Sequence, residues 1–398
     1  MVDRSAIFSI FLAIALRTLY KSYYESSVGD DHAFSAFFSE NYFQARELFR
    51  FNAEQAQAEL HSIPYAVNDP AFTNLSIDVA ILHGNPSQLV VHLSGTHGVE
   101  GFAGSAVQSA FLSNYTADSN SPTIVLVHAV NPYGFAALRR VNEHNVDLNR
   151  NYLTPEKFAK KQAQDPNQYG YQDISDALNP TAPVQFNALF YPKMLQIILE
   201  MGYTNAKKAV VSGNYHFQKG LSYGGSELES NHALIRDFIA THFNLDEITH
   251  VAFVDVHTGL GPKGFDTLDV KSRAMDSSKA TTILFPQYEG PNVEDGALSG
   301  YDATVGQGVN GYETWFPSQT LTVSVMQEFG TVNSLTVLVA LRAENAATHY
   351  DFEHRQSAAE ALRDVFYLKD DSEWKFDVGT RGIAVLKQAI ENLAKLDD

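Results

Sequence analysis

The sequence predicts an α/β fold, and two observations support this prediction. Short apolar runs rich in β-branched residues, which are typical of buried strands, recur along the chain. Helical segments lie between several of these runs, and no internal repeat interrupts the pattern. Of the 398 residues, 44% are hydrophobic, so the chain can bury a substantial core. We therefore expect one α/β domain over residues 34–398, preceded by a segment, residues 1–33, whose role the pattern does not indicate.

The predicted elements alternate along the chain and are separated by one long polar stretch. The first are a helix at 45–60, strands at 75–82 and 88–94, a helix at 101–112 and a strand at 123–130. Residues 154–190 have few apolar runs and predict a long excursion over the surface. The later elements are strands at 250–256 and 321–327 and helices at 332–346, 353–366 and 380–396. Ligands of open α/β sheets bind outside the carboxyl ends of strands, so polar residues at those ends are the first candidates for a site.

Charge and cysteine content exclude several classes of function. The formal net charge is −18 and is spread through the sequence, which favours solubility and argues against nucleic-acid binding. The chain has no cysteine, which excludes disulfides, thiolate nucleophiles and zinc sites with cysteine ligands. Any metal ion must therefore be held by histidines and carboxylates.

The amino terminus contains one apolar stretch, residues 6–16, between Arg4 and Arg17. This stretch resembles the h-region of a signal sequence, but it is shorter than the about 20 apolar residues that a spanning helix needs. A packed or amphipathic helix is an equal alternative. Membrane association is expected only through this stretch, and we favour a cytoplasmic location slightly over secretion or membrane tethering.

A candidate metal-binding pair, His97 and Glu100, directly follows the strand predicted at 88–94. Gly95 and Gly98 allow the backbone to turn sharply there. Zinc accepts a histidine nitrogen and a glutamate oxygen at about 2.0–2.2 Å, and catalytic zinc sites have three protein ligands. The pair therefore predicts two ligands of a site that needs a third.

His257 is the best candidate for the third ligand among the 14 histidines. It ends the apolar strand predicted at 250–256 and begins a glycine-rich loop. The competing histidines lie within or beside strands and are expected to be structural: His92, His128 and His250. With two histidines and one glutamate, the set predicts one Zn²⁺ per chain.

Glu328 is the candidate general base. It lies where the strand at 321–327 stops, so its carboxylate could reach water at the zinc. Zinc lowers the pKa of water toward about 7, and a nearby carboxylate can take the proton and pass it to a leaving amine. For this segment alone, a solvated glutamate at a strand end would be the commoner interpretation.

Residues 142–150 gather polar groups between apolar elements. Arg150 can bind a carboxylate through two parallel hydrogen bonds, and Asn149 can add an amide donor. Arg139 or Arg140 could polarise a scissile carbonyl and stabilise its oxyanion. The segment therefore predicts a site for an anionic substrate, with a solvated loop as the alternative.

A histidine that binds a metal usually directs its other ring nitrogen to a carboxylate, which fixes the tautomer. Asp147 is one candidate for this contact. Asp255, two residues before His257, is the other. The spacing alone does not choose between them.

Together, these motifs resemble the zinc metallocarboxypeptidase superfamily, which includes the succinylglutamate desuccinylases and aspartoacylases. Four motifs occur in order: His97-x-x-Glu100, Asp147-Leu-Asn149-Arg150, His257 and Glu328. The sequences at 94–105 and 131–135 are similar to those of a branch known only as predicted zinc peptidases. The resemblance covers about residues 38–366.

The resemblance implies a single domain with a mixed, mostly parallel sheet of eight strands flanked by helices. It also implies these roles: zinc binding by His97, Glu100 and His257; general base catalysis by Glu328; carboxylate binding by Asn149 and Arg150; support of His97 by Asp147; and oxyanion stabilisation by Arg140 or Arg139. A tyrosine that closes over the substrate is implied as well. Tyr301 and Tyr312 are the candidates.

The leading functional hypothesis is zinc-dependent hydrolysis of an amide bond next to a free carboxylate, as in a metallocarboxypeptidase. A deacylase of N-acyl amino acids, of the desuccinylase or aspartoacylase type, is the alternative, since the sequence shows no specificity pocket. A protein of the same fold that binds carboxylates without catalysis is a third. A serine hydrolase is disfavoured, because neither Ser94 nor Ser105 lies in a Gly-x-Ser-x-Gly motif. The expected partner is a small peptide or an N-acyl amino acid, and the oligomeric state stays open.

Overall fold

The computed structural model describes residues 34–182, 190–273, 275–290 and 304–397. Within these ranges, seven strands form one sheet in the order β1-β2-β4-β3-β5-β7-β6. The strands are β1 (Glu59–Tyr65), β2 (Leu75–Leu82), β3 (Asn85–Ser94), β4 (Pro122–His128), β5 (His250–Lys263), β6 (Asp266–Ser272) and β7 (Leu321–Gly330). The amino-terminal segment 1–33, with its apolar stretch, and Tyr301 lie outside the described residues.

Four parallel strands, β4, β3, β5 and β7, form the centre of the sheet. The other three, β1, β2 and β6, pair antiparallel with their neighbours, so three of the six strand pairs are parallel. The expected sheet of eight mostly parallel strands is therefore wrong for the described residues, both in strand number and in the share of parallel pairs. Since β3, β5 and β7 are adjacent and parallel, their carboxyl ends lie at one edge of the sheet.

Twelve α-helices accompany the sheet in the described ranges. They are α1 (Tyr42–Gln55), α2 (Gly101–Ser113), α3 (Pro132–Ala136), α4 (Pro155–Gln162), α5 (Tyr171–Leu178), α6 (Phe190–Met201), α7 (Tyr203–Val211), α8 (Ser230–His242), α9 (Ser277–Leu284), α10 (Ser334–Tyr350), α11 (Arg355–Phe366) and α12 (Ser372–Asn392). None of them is long and apolar enough to cross a membrane.

Several helix boundaries differ from the predicted ones. The helix predicted at 45–60 ends at Gln55, because the chain turns at Gln57 (φ 57°) and then enters β1. The last helix begins at Ser372 and not at residue 380, since the Asp371 side chain accepts a hydrogen bond from Trp374 N–H and caps it. The predicted surface excursion contains two helices, α4 and α5.

The core has an apolar cluster on each face of the sheet. Alternate residues of a strand point to opposite faces. Accordingly, Val91 and Phe253 belong to one cluster, while their neighbours Val90 and Val254 belong to the other. With both faces of the central strands covered, the carboxyl edge of the sheet is left for ligands.

Candidate metal centre and active site

The loop that follows β3 is fixed by close backbone contacts. A Cβ atom on Gly98 would lie 2.0 Å from the carbonyl carbon of Gly134, so only glycine fits here. The N–H groups of Gly98 and Val99 donate hydrogen bonds of 3.1 and 2.8 Å to the carbonyl oxygens of Arg140 and Arg139. The loop on which two candidate ligands stand is therefore held firmly against the segment at 134–140.

Three buried side chains converge at the carboxyl edge of the sheet. His97 Nδ1 lies 3.0 Å from Glu100 Oε1 and 3.0 Å from His257 Nδ1. His257 Nδ1 lies 3.1 Å from the second oxygen of Glu100. Potential ligand atoms of the three residues lie within 4.8 Å of one another, so the residues could hold one metal ion. The three ligands proposed from the sequence thus lie together.

Each histidine directs its other ring nitrogen to a different aspartate. His97 Nε2 lies 3.0 Å from Asp147 Oδ1, and His257 Nε2 lies 3.3 Å from Asp255 Oδ2. Such contacts favour a proton on Nε2, which leaves the Nδ1 lone pair for a metal. Each of the two aspartates that the sequence offered therefore lies beside a different histidine, with Asp147 at hydrogen-bond distance from His97 and Asp255 slightly farther from His257. A donor set of two histidine nitrogens and one carboxylate fits a catalytic zinc ion.

The charges around these residues favour an ionised Glu100. Burial by itself would raise the pKa of Glu100, but the nearby charges of His97 and Arg140 hold it well below its usual range. Burial likewise would lower the pKa of His257, yet the carboxylates of Asp255 and Glu100 raise it well above 6.5. A cation at this point would therefore replace the proton of His257 and find Glu100 already ionised.

Glu328 lies beside the three candidate ligands. In the parallel pairing of β5 with β7, His257 and Glu328 are register partners. The buried carboxylate accepts a hydrogen bond of 3.0 Å from Leu260 N–H. Burial and the charge of Glu100 raise the pKa of Glu328 to about 8. A cation bound by the neighbouring ligands would lower this pKa.

The adjacent arginines 139 and 140 lie in different surroundings. Arg140 Nη1 lies 2.5 Å from Glu100 Oε1, and its side chain lines the cavity next to the candidate ligands. Arg139 is buried, with Nε 2.7 Å from a Glu344 oxygen and a hydrogen bond of 2.9 Å to Asn145 Oδ1. The positive charge of Arg139 is therefore balanced inside the core by Glu344.

A cavity of about 260 Å³ opens onto this group of residues. It is lined in part by His97, Arg140, Asn149, Arg150 and Glu328. The cavity thus brings together five of the residues that are site candidates from the sequence. Outside the lining, Glu100 and His257 complete the candidate ligand set, and Asp147 lies behind His97.

Backbone groups orient the two candidate carboxylate-binding residues. Arg150 Nε and Nη1 donate hydrogen bonds of 2.7 Å to the carbonyl oxygens of Val211 and Asn149. Asn149 Oδ1 accepts a hydrogen bond of 3.1 Å from Gly308 N–H. Its Nδ2 lies 3.6 Å from Met326 Sδ, which is a weak acceptor. The amide of Asn149 therefore has hydrogen-bonding capacity to offer a ligand in the cavity.

Of the two tyrosine candidates, Tyr312 belongs to the described residues, and it does not lie over the cavity. Tyr312 is buried, donates a hydrogen bond of 3.1 Å to Asp255 Oδ2, and is not part of the cavity lining. Tyr203, which the sequence did not single out, does line the cavity and is 56% exposed. Ser105 pairs with His128 at 3.0 Å, but both are buried away from the cavity lining, so this pair offers no accessible nucleophile.

Sequence reasoning also missed the walls of the cavity. Apolar side chains from α6, α7 and α10 supply much of the lining: Met194, Ile198, Val210, Leu335, Leu338 and Leu341. The available signal was the helical spacing of apolar residues after residue 190. That spacing shows a buried face, but it does not show that the face borders a cavity.

Several solved structures show a distant likeness to the chain. A Shewanella amazonensis protein described as a candidate metallopeptidase has 13% identity and a TM-score of 0.38, with 78% of this chain and 92% of that chain covered. Bovine thrombin-activatable fibrinolysis inhibitor has 11% identity and a TM-score of 0.41, covering 85% and 100%. Succinylglutamate desuccinylase/aspartoacylase from Rhodobacter sphaeroides has 14% identity and a TM-score of 0.34, covering 74% and 65%.

Among curated proteins, none matches the sequence. A family model described as "Protein of unknown function (DUF2817)" matches residues 38–381. This range contains all the candidate ligands, Glu328 and the walls of the cavity. The chain therefore belongs to the DUF2817 family.

Proposed function

We propose that the chain is a zinc-dependent hydrolase that cleaves an amide bond next to a free carboxylate, as a metallocarboxypeptidase does. The convergence of His97, Glu100 and His257, buried beside a cavity that also contains Glu328, carries this proposal. Three protein ligands leave zinc a coordination position for water or substrate, which is the pattern of catalytic zinc sites. A carboxylate base next to such a site supports a hydrolase over a protein that only binds.

Zinc held by these three residues would act as a Lewis acid, polarising the scissile carbonyl and favouring attack by water at neutral pH. Glu328, when ionised, takes a proton from the attacking water and delivers it to the leaving amine nitrogen. The hydrogen bond from Leu260 N–H orients the carboxylate for both transfers. Arg140 presents its positive charge to the cavity, where it stabilises the negative charge that develops on the carbonyl oxygen.

Asn149 and Arg150 bind the substrate carboxylate in this proposal. Both line the same cavity as Glu328, so a carboxylate bound there lies near the scissile amide. The hydrogen bonds from Arg150 to two backbone carbonyls fix its position before substrate arrives. Such fixed groups lower the entropy loss on binding and align the amide for attack.

Removal of an acyl group from an N-acylated amino acid is the second candidate. The size of the cavity supports this second candidate, because a small cavity suits a small substrate. Its volume of about 260 Å³ is below the about 300–1,000 Å³ that is typical of pockets for drug-sized ligands. A single amino acid with its carboxylate suits this volume. Both substrates present the same amide and the same carboxylate to the site, so the group on the other side of the amide distinguishes them.

The test compares chromogenic peptides with N-acyl amino acids, each with and without a chelator. We expect one class to be cleaved, the activity to disappear on chelation, and added zinc to restore it with about one zinc per chain. Turnover that persists in protein shown by metal analysis to be metal-free would contradict the proposal. Bound zinc without turnover of either class would instead favour a carboxylate-binding protein.

A further inference from the structure

The cavity walls opposite the sheet are apolar and come from three helices. Met194 and Ile198 of α6, Val210 of α7, and Leu335, Leu338 and Leu341 of α10 line the cavity. None of these residues belongs to the candidate ligand set or to the groups that would perform the chemistry. All of them have aliphatic or thioether side chains. Contact with such side chains removes apolar surface of a ligand from water, which makes binding more favourable.

These walls are packed against one another and do not depend on a ligand. Met194, Ile197, Ala206 and Ala209 form one buried apolar cluster, and the leucines of α10 pack against it. A pocket formed in this way is ready before binding, so a matching side chain enters with little reorganisation. The walls can therefore discriminate between substrates.

The charged residues in the described part of the lining disfavour a basic side chain on the substrate. Within the described lining, Glu328 is the single acidic residue, and Arg140, Arg150 and Lys207 are basic. An acidic residue that could pair with a substrate lysine or arginine is absent from the apolar walls of the described cavity. Desolvating an ammonium or guanidinium group there would cost free energy without a compensating ion pair.

Because Asn149 and Arg150 line this same cavity, the group that carries the free carboxylate also meets the apolar walls. We infer that the released amino acid has an aromatic or large aliphatic side chain. This inference rests on the proposed amide hydrolysis and adds the substrate class to it. Lys207 makes an acidic side chain the competing choice, so the test includes one.

The test measures binding of three small carboxylates to the zinc-loaded protein by calorimetry. The probes are 3-phenylpropanoate, 6-aminohexanoate and glutarate, which present an apolar, a cationic and an anionic group next to the same carboxylate. We expect 3-phenylpropanoate to bind at least about tenfold more tightly than the other two, the scale on which apolar pockets discriminate. Equal or tighter binding of either charged probe would overturn the inference.

A matched pair of variants on α6 tests whether the walls cause the preference. Ile198 lines the cavity and is half-buried, whereas Leu195, one turn earlier, is 58% exposed and outside the lining. We expect Ile198→Asp to weaken 3-phenylpropanoate about tenfold or more and to strengthen 6-aminohexanoate, while Leu195→Asp changes neither. Ile198→Thr, which is smaller and uncharged, repeats the test if the aspartate variant does not fold. An equal loss in both Ile198 and Leu195 variants would contradict the inference.

Kinetics separates this inference from the proposed function. Cleavage of N-benzoylglycyl dipeptides that end in phenylalanine or leucine, in preference to those that end in lysine or glutamate, would support both. Preference for lysine or glutamate would overturn the inference and leave the hydrolase intact. Selective binding of 3-phenylpropanoate without turnover of any amide would support the apolar pocket and contradict the proposed function.

Discussion

The Nδ1 atoms of His97 and His257 lie 3.0 Å apart, and each ring turns its Nε2 atom toward a different aspartate. With a proton on each Nε2, two Nδ1 lone pairs face each other, and the Glu100 carboxylate lies beside them. Two lone pairs and a carboxylate repel one another unless a proton or a metal cation lies between them. Because the carboxylates of Asp255 and Glu100 raise the pKa of His257, a proton can take this place, and a metal ion would replace it.

The first prediction concerns zinc binding. We expect about one zinc per chain in the wild type and much weaker binding in His257→Ala, because two ligands remain. Asp255→Asn should weaken zinc by about 10–100-fold, since it removes the carboxylate that orients His257. Competition with a chelating dye measures the zinc affinity of the wild type and of both variants. His250→Ala is the matched control on the same strand, and a similar loss of zinc there would reject the assignment.

The second prediction concerns Glu328. Glu328→Gln keeps the shape of the side chain and removes its ability to accept a proton. We expect kcat to fall by about 10²–10⁴-fold while zinc remains bound. Metal analysis of the purified variant and kinetics on the best substrate check the two halves of this expectation. If the variant lost zinc along with activity, Glu328 would be a ligand and not a base.

The third prediction separates the adjacent arginines 139 and 140. Arg139→Ala leaves Glu344 buried without its partner, so we expect the free energy of unfolding to fall by about 3–5 kcal/mol. Arg140→Ala should lower kcat with a smaller loss of stability in zinc-loaded protein, because the metal ion would offset the buried charge of Glu100 that Arg140 leaves behind. Chemical denaturation and steady-state kinetics distinguish them. If both variants lost stability and kcat to the same extent, the assignment of a structural role to Arg139 and a catalytic role to Arg140 would be wrong.

The fourth prediction concerns Arg150. Arg150→Ala should raise the Michaelis constant for substrates with a free carboxylate and affect kcat less, because the lost contact exists before and during the reaction. Arg150→Lys keeps the charge and loses the planar fork of donors, so an intermediate effect is expected. Substrates whose carboxylate is amidated serve as the control and should be indifferent to both changes. An unchanged Michaelis constant in Arg150→Ala argues against the role in carboxylate binding.

The fifth prediction concerns the pH dependence of stability. Burial lowers the pKa of His92 and of His128 to about 4. The unfolded chain binds these protons near the ordinary pKa of about 6.5, whereas the native state binds them only near pH 4. The free energy of unfolding therefore falls as the pH drops from about 6.5 toward 4, by up to about 1.4 kcal/mol per pH unit for each histidine.

Urea unfolding of zinc-loaded protein between pH 7 and pH 5 measures this slope. His92→Leu should reduce the slope whatever its effect on stability at pH 7, because one titrating group is gone. His83→Asn, which changes an exposed histidine, is the control and should leave the slope as in the wild type. A stability that does not change across this pH range would contradict the prediction.

The buried strands could be predicted because most of their residues are apolar. Strand β2 has the predicted bounds, Leu75–Leu82, since it is buried along its whole length and apolar except for Ser76 and Asp78. The edge strands β1 and β6 were missed, because each has one neighbour and polar residues interrupt its apolar pattern. Edge strands give a weaker sequence signal than central ones.

In the site, polar residues at strand ends could be predicted, and partners that depend on side-chain direction could not. His97 follows the end of β3, and His257 and Glu328 lie in the carboxyl-terminal halves of the adjacent parallel strands β5 and β7, which continue beyond the predicted ends at 256 and 327. The assignment of Asp147 and Asp255 to different histidines depends on which way each ring turns, and sequence spacing does not record that. The cavity walls depend on how α6, α7 and α10 pack together, which is a property of the tertiary structure.

The ion pair between Arg139 and Glu344 limits which walls of the cavity can differ in position between related chains. Glu344 lies on α10, and the carbonyl oxygen of Arg139 accepts the hydrogen bond from Val99, between two candidate ligands. Thus α10 cannot shift relative to the ligand loop without breaking a buried ion pair. In the described contacts, α6 meets the cavity through apolar packing, whereas α7 also accepts a hydrogen bond of 2.7 Å from Arg150 at its last residue, Val211. We therefore expect related chains to differ in substrate size mainly through α6, with α7 and α10 as the walls that stay in register with the site.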